Sequence, residues 1–144
     1  MDHNDNNFLK LLIYHFLPGK KILIVEDEKE IQILMAKYLS KSEIEADKLI
    51  LASDGCEAID KMKNENIGLI IVDLVMPNMD GLELINLLKS TAETKQIPLV
   101  ICSGNVDNEK LKEAIILGVK DILVKPFNYK LFVDKLSRAI ALAP

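Results

Sequence analysis

Glu26, Asp27, Asp73, Ser103 and Lys125 are the residues whose types and spacing could do chemistry together. Each stands at the end of a short aliphatic run. Three carboxylates brought to one edge would repel one another and raise each other's pKa. A hard divalent cation removes that conflict, because Mg2+ takes oxygen ligands and keeps waters that a phosphate can replace. Lysine adds a compact positive charge for a phosphoryl oxygen, and a serine hydroxyl adds a hydrogen-bond donor. A carboxylate can itself be the nucleophile and form an acyl phosphate. Phosphoryl transfer needs little beyond such positioning and charge neutralisation.

The elements that must position these groups follow from the apolar pattern. Aliphatic runs at 22–25, 49–52, 69–72, 99–102 and 122–124 carry no charge. Runs of that length and composition fit strands buried on both faces of a parallel sheet. Helical spacing separates them: Ile31, Leu34, Met35, Tyr38 and Leu39; a shorter stretch over 54–64; Leu82, Leu84, Ile85 and Leu88; Leu111, Ala114 and Ile115; then Leu131, Phe132, Leu136, Ala139 and Ile140. Asp54 and Asp107 read as helix N-caps, and Gly118 as a helix terminator. Five strand–helix units in strict alternation predict an α/β fold, a doubly wound parallel sheet with helices on both faces. Ligands of such sheets bind beyond the carboxyl ends of the strands. Those ends are Glu26-Asp27, Ser53-Asp54, Asp73, Ser103-Gly104 and Lys125-Pro126.

Residues 1–19 stand outside this alternation and read as an extension to a domain over 20–144. Phe8, Leu9, Leu12, Ile13, Phe16 and Leu17 share one helical face before Pro18-Gly19. They predict an amphipathic helix of about ten residues, which must dock to persist. Its apolar face could support a homodimer. Neither His3 nor His15, both within the extension, is assigned a catalytic role. No output domain follows the last helical pattern in these 144 residues.

Composition excludes several classes. The net charge of -4, with lysines spread along the chain, argues against direct nucleic-acid binding. No apolar run approaches the roughly 20 residues of a membrane helix. The polar, acidic N-terminus does not resemble a secretory signal. Cys56 and Cys102 lack metal-site spacing and read as free thiols of a cytoplasmic protein.

Four segments in order resemble the receiver domain of two-component response regulators: 22–28 (Ile-Leu-Ile-Val-Glu-Asp-Glu), 72–81 (Val-Asp-Leu-Val-Met-Pro-Asn-Met-Asp-Gly), 100–104 (Val-Ile-Cys-Ser-Gly) and 123–127 (Leu-Val-Lys-Pro-Phe). The resemblance covers about residues 20–142. It implies a flavodoxin-like sheet of order 2-1-3-4-5 with five flanking helices. It also implies a phosphoacceptor rather than a turnover enzyme, charged by a histidine kinase or histidine phosphotransfer protein. Asp73 would be the acceptor. Glu26, Asp27, Asp73 and the Val75 carbonyl would hold Mg2+, or Mn2+ in its place. Lys125 and Ser103 would contact the phosphoryl group, and Lys125-Pro126 would be a cis peptide. The segments 107–122 and 128–138 would form the signalling surface. Gly81 would permit a tight turn after the acceptor loop.

One position departs from the aromatic residue common in this family, and a second bears on the lifetime of the acyl phosphate. Ile122 occupies the place of a Tyr or Phe that swings inward when the serine moves, and β-branched Ile is stiff at χ1. Weaker or differently wired coupling to the surface is expected. Val75, flanking the path of a hydrolytic water with Asn105, can orient no water, so slow self-dephosphorylation is expected.

Three other functions suit an α/β sheet of this kind. A phosphorylation-independent scaffold of the same fold is the alternative, although every acid and the lysine are retained. A haloacid-dehalogenase-like phosphatase needs an acid where Val75 stands. Glu26-Asp27-Glu28 would repel a flavin phosphate.

Overall fold

The computed structural model describes residues 3–104 and 108–143. Its sheet has five parallel strands: β1 (Lys21–Val25), β2 (Leu49–Ala52), β3 (Ile67–Val72), β4 (Leu99–Ser103) and β5 (Asp121–Val124). Their order is β2-β1-β3-β4-β5, the 2-1-3-4-5 order that the resemblance implies. The helices are α1 (His3–Phe16), α2 (Lys29–Lys41), α3 (Gly55–Met62), α4 (Gly81–Lys89), α5 (Asn108–Ile116) and α6 (Tyr129–Ala141), with one 3-10 turn at Ala46–Lys48. The first of the six belongs to the extension, and the other five flank the sheet as expected.

Alternation along each strand divides the core. Ile22 and Ile24 of β1 join Met35, Leu39, Phe132 and Leu136 on the face covered by α2 and α6. Leu23 and Val25 join Ala58, Leu84, Ile85 and Ala114 on the face covered by α3, α4 and α5. All six residues of β3 are buried, as befits the central strand of a doubly covered sheet. β5 begins one residue earlier than the aliphatic run. Its first residue, Asp121, is tolerated in the sheet because Arg138 Nε of α6 lies 3.4 Å from its Oδ1.

Local chemistry sets the helix starts. Asp54 accepts a hydrogen bond from the Glu57 amide (2.8 Å), Asp80 from that of Glu83 (2.9 Å) and Asn128 from that of Leu131 (2.9 Å). Gly118 follows α5 with φ +101°, a left-handed conformation suited to glycine. Asp107, the cap expected for α5, lies outside the described residues.

α1 runs for 14 residues rather than about ten. No proline or glycine interrupts the chain before Pro18, so the polar stretch continues the helix. Its buried stripe is also narrower than expected. Leu9, Ile13 and Leu17, spaced by four, are buried with Leu12, while Phe8 and Phe16 remain about half exposed. The stripe packs on α6 and completes the core there. Full burial of Leu9 and Ile13 contributes about 1.5–3 kcal/mol each, which explains how a short helix persists. Among the described residues no helix is long and apolar enough to cross a membrane.

Candidate functional site

The carboxyl ends of β1, β3, β4 and β5 surround a cleft of about 410 Å³ lined by Asp27, Glu28, Asp73, Val75, Ser103, Gly104 and Lys125. The Lys125 ammonium is its hub. Nζ lies 2.7 Å from Glu26 Oε1, 3.0 Å from Asp73 Oδ2 and 3.5 Å from Glu28 Oε1. The Glu26 and Asp73 side chains are almost wholly buried, and that of Lys125 is largely so. The second oxygen of Asp73 accepts a hydrogen bond from the Val75 amide (3.2 Å), and Glu26 Oε2 accepts one from the Glu28 amide (3.1 Å). The Lys125–Pro126 peptide is cis.

Two glycines let the backbone come this close. Gly81 begins α4 directly against the acceptor loop, and its amide donates to the Leu74 carbonyl (3.0 Å). A Cβ there would overlap the Asp73 carbonyl. Gly55 has the same role one layer out: its amide donates to the Met79 carbonyl (2.9 Å), and a Cβ would collide with the Met79 side chain. Asn78, at φ +63°, donates to Asp54 Oδ2 (2.7 Å) and ties the acceptor loop to the cap of α3. Asp54 is therefore structural, as its sequence position suggests.

Electrostatics reflect the crowding. Burial pushes the Glu26 carboxyl up to about 7, with the Asp73 charge adding to the effect and Lys125 opposing it. Burial alone would depress Lys125, but hydrogen bonds to Glu26 and Asp73 outweigh it and hold the ammonium above its ordinary range. Burial likewise pushes the Cys102 thiol up to about 12, so this cysteine is an inert core residue.

A divalent cation fits these donors. Glu26, Glu28 and Asp73 each offer an oxygen, and the three oxygens lie within 4.8 Å of one another. Glu26 Oε1, buried beside the Lys125 ammonium, has no other polar partner among the described residues. All the donors are hard oxygens, which suits Mg2+ or Mn2+.

The structure brings most of the sequence-derived residues together and ranks two differently. Asp27 lines the cleft but is exposed and stands outside the tight carboxylate group, which Glu28 joins instead. Only side-chain direction separates the two, and three consecutive acids leave that direction unmarked. Ser103 is buried at the end of β4, its carbonyl accepting from the Lys125 amide (3.0 Å). Val75 is half exposed at the cleft mouth. Ile122 pairs with Ile101 and packs, half buried, against the core on the α3–α5 face. Asn105 lies outside the described residues.

Sequence reasoning missed the contact between Asp80, the cap of α4, and Lys110 of α5 (2.9 Å). It also missed Gln32 of α2, buried among apolar residues.

If Glu26 titrates as described, metal-free protein should lose stability as pH rises. A carboxyl whose folded pKa exceeds its unfolded value binds its proton more tightly in the folded state. The stabilisation is complete below about 4.5 and is lost as pH passes through about 7. The expected fall is on the order of 3 kcal/mol. Urea unfolding in EDTA between pH 4.5 and 8 measures it. Glu26→Gln should flatten the profile; a flat profile in the parent, or a fall of the same size in Glu26→Gln, would contradict the assignment.

Comparison with known proteins agrees with this arrangement. A family model described as the response regulator receiver domain matches residues 22–137. The uncharacterized transcriptional regulatory protein YesN of Bacillus subtilis is 36% identical over 121 residues, 84% of this chain and 32% of YesN. The chain thus spans about a third of that relative's length. The chemotaxis response regulator CheY4 of Vibrio cholerae superimposes with a TM-score of 0.73 at 29% identity, covering 83% of this chain and 98% of CheY4. The Mn2+-bound form of response regulator Rcp1 does so with a TM-score of 0.71 at 27% identity, covering 85% of this chain and 93% of Rcp1. The chain belongs to the response regulator receiver family of two-component signalling.

Proposed function

We propose that the chain is a phosphoacceptor in which Asp73 takes a phosphoryl group from a phosphohistidine of a histidine kinase or phosphotransfer protein. The observation that carries this reading is the Lys125 ammonium held 3.0 Å from a buried Asp73 carboxylate at the strand ends. Asp73 Oδ attacks phosphorus, the P–N bond to the imidazole breaks, and the imidazole leaves with the electron pair and takes up a proton. Lys125 then follows the charge from the carboxylate to the phosphoryl oxygens. The Ser103 hydroxyl donates to another of those oxygens. Glu26, Asp27, Asp73 and the Val75 carbonyl would hold Mg2+ or Mn2+, with Glu28 as an added donor, and a cation bound there would supply neutralisation of the charge on the transferring group. The chain is a carrier of the group rather than a turnover enzyme, and it works in the cytoplasm. The place of Asp27 on the cleft wall supports its part in this donor set.

Signal output should run through the backbone of the β4–α5 connection, because Ile122 cannot swing as a large aromatic does. Beryllofluoride, a phosphoryl mimic, added with Mg2+ should shift the amide signals of Asp73, Val75, Gly104 and Lys125 strongly and that of Ile122 little. An unchanged spectrum would contradict the acceptor reading. A shift at Ile122 as large as at Gly104 would contradict the altered coupling alone.

A further inference from the structure

Gln32 stands where the pattern of α2 calls for an apolar side chain. It shares the buried stripe of Met35 and Leu39, three and seven residues on, and is itself 2% exposed. Burying a side-chain amide without partners is costly, and this amide has two. Nε2 donates to the Glu26 carbonyl and, at 3.4 Å, to the Ala52 carbonyl. The opposite orientation of the amide would set its oxygen against two carbonyl oxygens.

These carbonyls lie where the β1–β2 ladder ends. Val25 pairs with Ala52, and the Glu26 amide donates to the Ala52 carbonyl (2.9 Å). The next peptide, joining Glu26 to Asp27, has left the sheet. Gln32 reaches across from α2 and continues the ladder with a side chain. The Glu26 carbonyl is fixed, and with it the direction in which Asp27 and Glu28 leave the strand. The amides of Ile31 and Gln32 both donate to the Glu28 carbonyl (3.1 Å each), which closes the loop onto the same turn of α2.

We infer that Gln32 is a positioning residue for the cation site, holding the peptide between Glu26 and Asp27 so that the acidic loop presents its oxygens preorganised. The inference rests on the phosphoacceptor reading above. Partners that orient ligating groups typically govern metal affinity or activity by ten- to a hundredfold, and with every ligand retained here the effect should fall on affinity.

Gln32→Met keeps the volume and removes both donors. Calorimetric titration with Mg2+ should show a dissociation constant raised at least tenfold. Phosphorylation by acetyl phosphate at saturating Mg2+ should stay within about twofold of the parent, because no reacting group is altered. Amide exchange at Asp27 and Glu28 should accelerate in the metal-free protein. A purely structural role predicts a lower melting temperature with unchanged Mg2+ affinity, and that result would overturn the inference. Should Gln32→Met not fold, the parent protein decides the matter. The Gln32 side-chain amide hydrogens should exchange far more slowly than those of exposed Gln96 and should shift when Mg2+ is added; equal exchange rates or no shift would overturn the inference. A parent that binds no Mg2+ would remove the phosphoacceptor reading and this inference together. A parent that binds Mg2+ and is phosphorylated, with Gln32→Met identical in affinity, would remove the inference alone.

Discussion

Lys125→Ala should slow phosphoryl transfer to Asp73 by about a hundredfold or more and should destabilise the metal-free protein most strongly at alkaline pH. The kinetic effect follows from the place of the ammonium. It lies 3.0 Å from Asp73 and 2.7 Å from Glu26, with a side chain only 12% exposed. Removing one preorganised charge from a transition state costs on the order of 100- to 1000-fold. The effect on stability follows from what is left behind. Glu26, Glu28 and Asp73 would keep oxygens within 4.8 Å of one another with no cation between them. Breaking a buried ion pair by deleting one partner costs about 3–5 kcal/mol. At pH 5 the raised pKa of Glu26 leaves it largely protonated, which relieves part of that repulsion. At pH 8 it is ionised in the parent, and deleting Lys125 exposes the full conflict. Urea unfolding in EDTA at both values should therefore show the larger loss at pH 8. Equal losses at the two values would show that the ammonium is not what balances Glu26.

Gly81→Val should lower stability by about 3 kcal/mol or more. A Cβ at Gly81 would sit 2.7 Å from the Asp73 carbonyl carbon and 2.8 Å from Leu74 Cα, and closer still to the Asp73 carbonyl oxygen. Those atoms are backbone, held by the Asp73 amide bond to the Val25 carbonyl (3.0 Å) and the Gly81 bond to Leu74. Neither side can yield without moving the acceptor loop. Stability and phosphorylation should fall together. Gly104→Ala is the control, since a Cβ there meets only Lys125 side-chain atoms at 3.4 Å or more. Denaturant midpoints of the two variants give the comparison. A Gly81→Val protein as stable as Gly104→Ala would refute the packing argument.

The sheet was legible because its strands are covered on both faces. Unbroken aliphatic runs such as Leu-Ile-Ile-Val at 69–72 have few other uses, and polar residues appear only where each strand leaves the core. The same abruptness marked Asp73 and Lys125. What escaped depended on direction rather than residue type. Three consecutive acids cannot reveal that Glu28, rather than Asp27, lies beside Lys125. Helical spacing places Phe8 and Phe16 with Leu9 and Ile13 on one broad face, but docking on α6 uses only the narrower stripe. Gln32 carried a readable signal, a polar residue inside the apolar spacing of Met35 and Leu39, although its partners are backbone carbonyls that no pattern names. The ion pair of Asp80 with Lys110 joins helices 30 residues apart in sequence and has no local signature.

On the proposed reading, Asp73 accepts a phosphoryl group with the help of a divalent cation. Intact mass after incubation with acetyl phosphate and Mg2+, beside an Asp73→Ala control and an EDTA control, tests it most directly. A gain of about 80 Da, the mass of one phosphoryl group, is expected only when both Asp73 and Mg2+ are present. No gain in the parent protein, or an equal gain in Asp73→Ala, would contradict it.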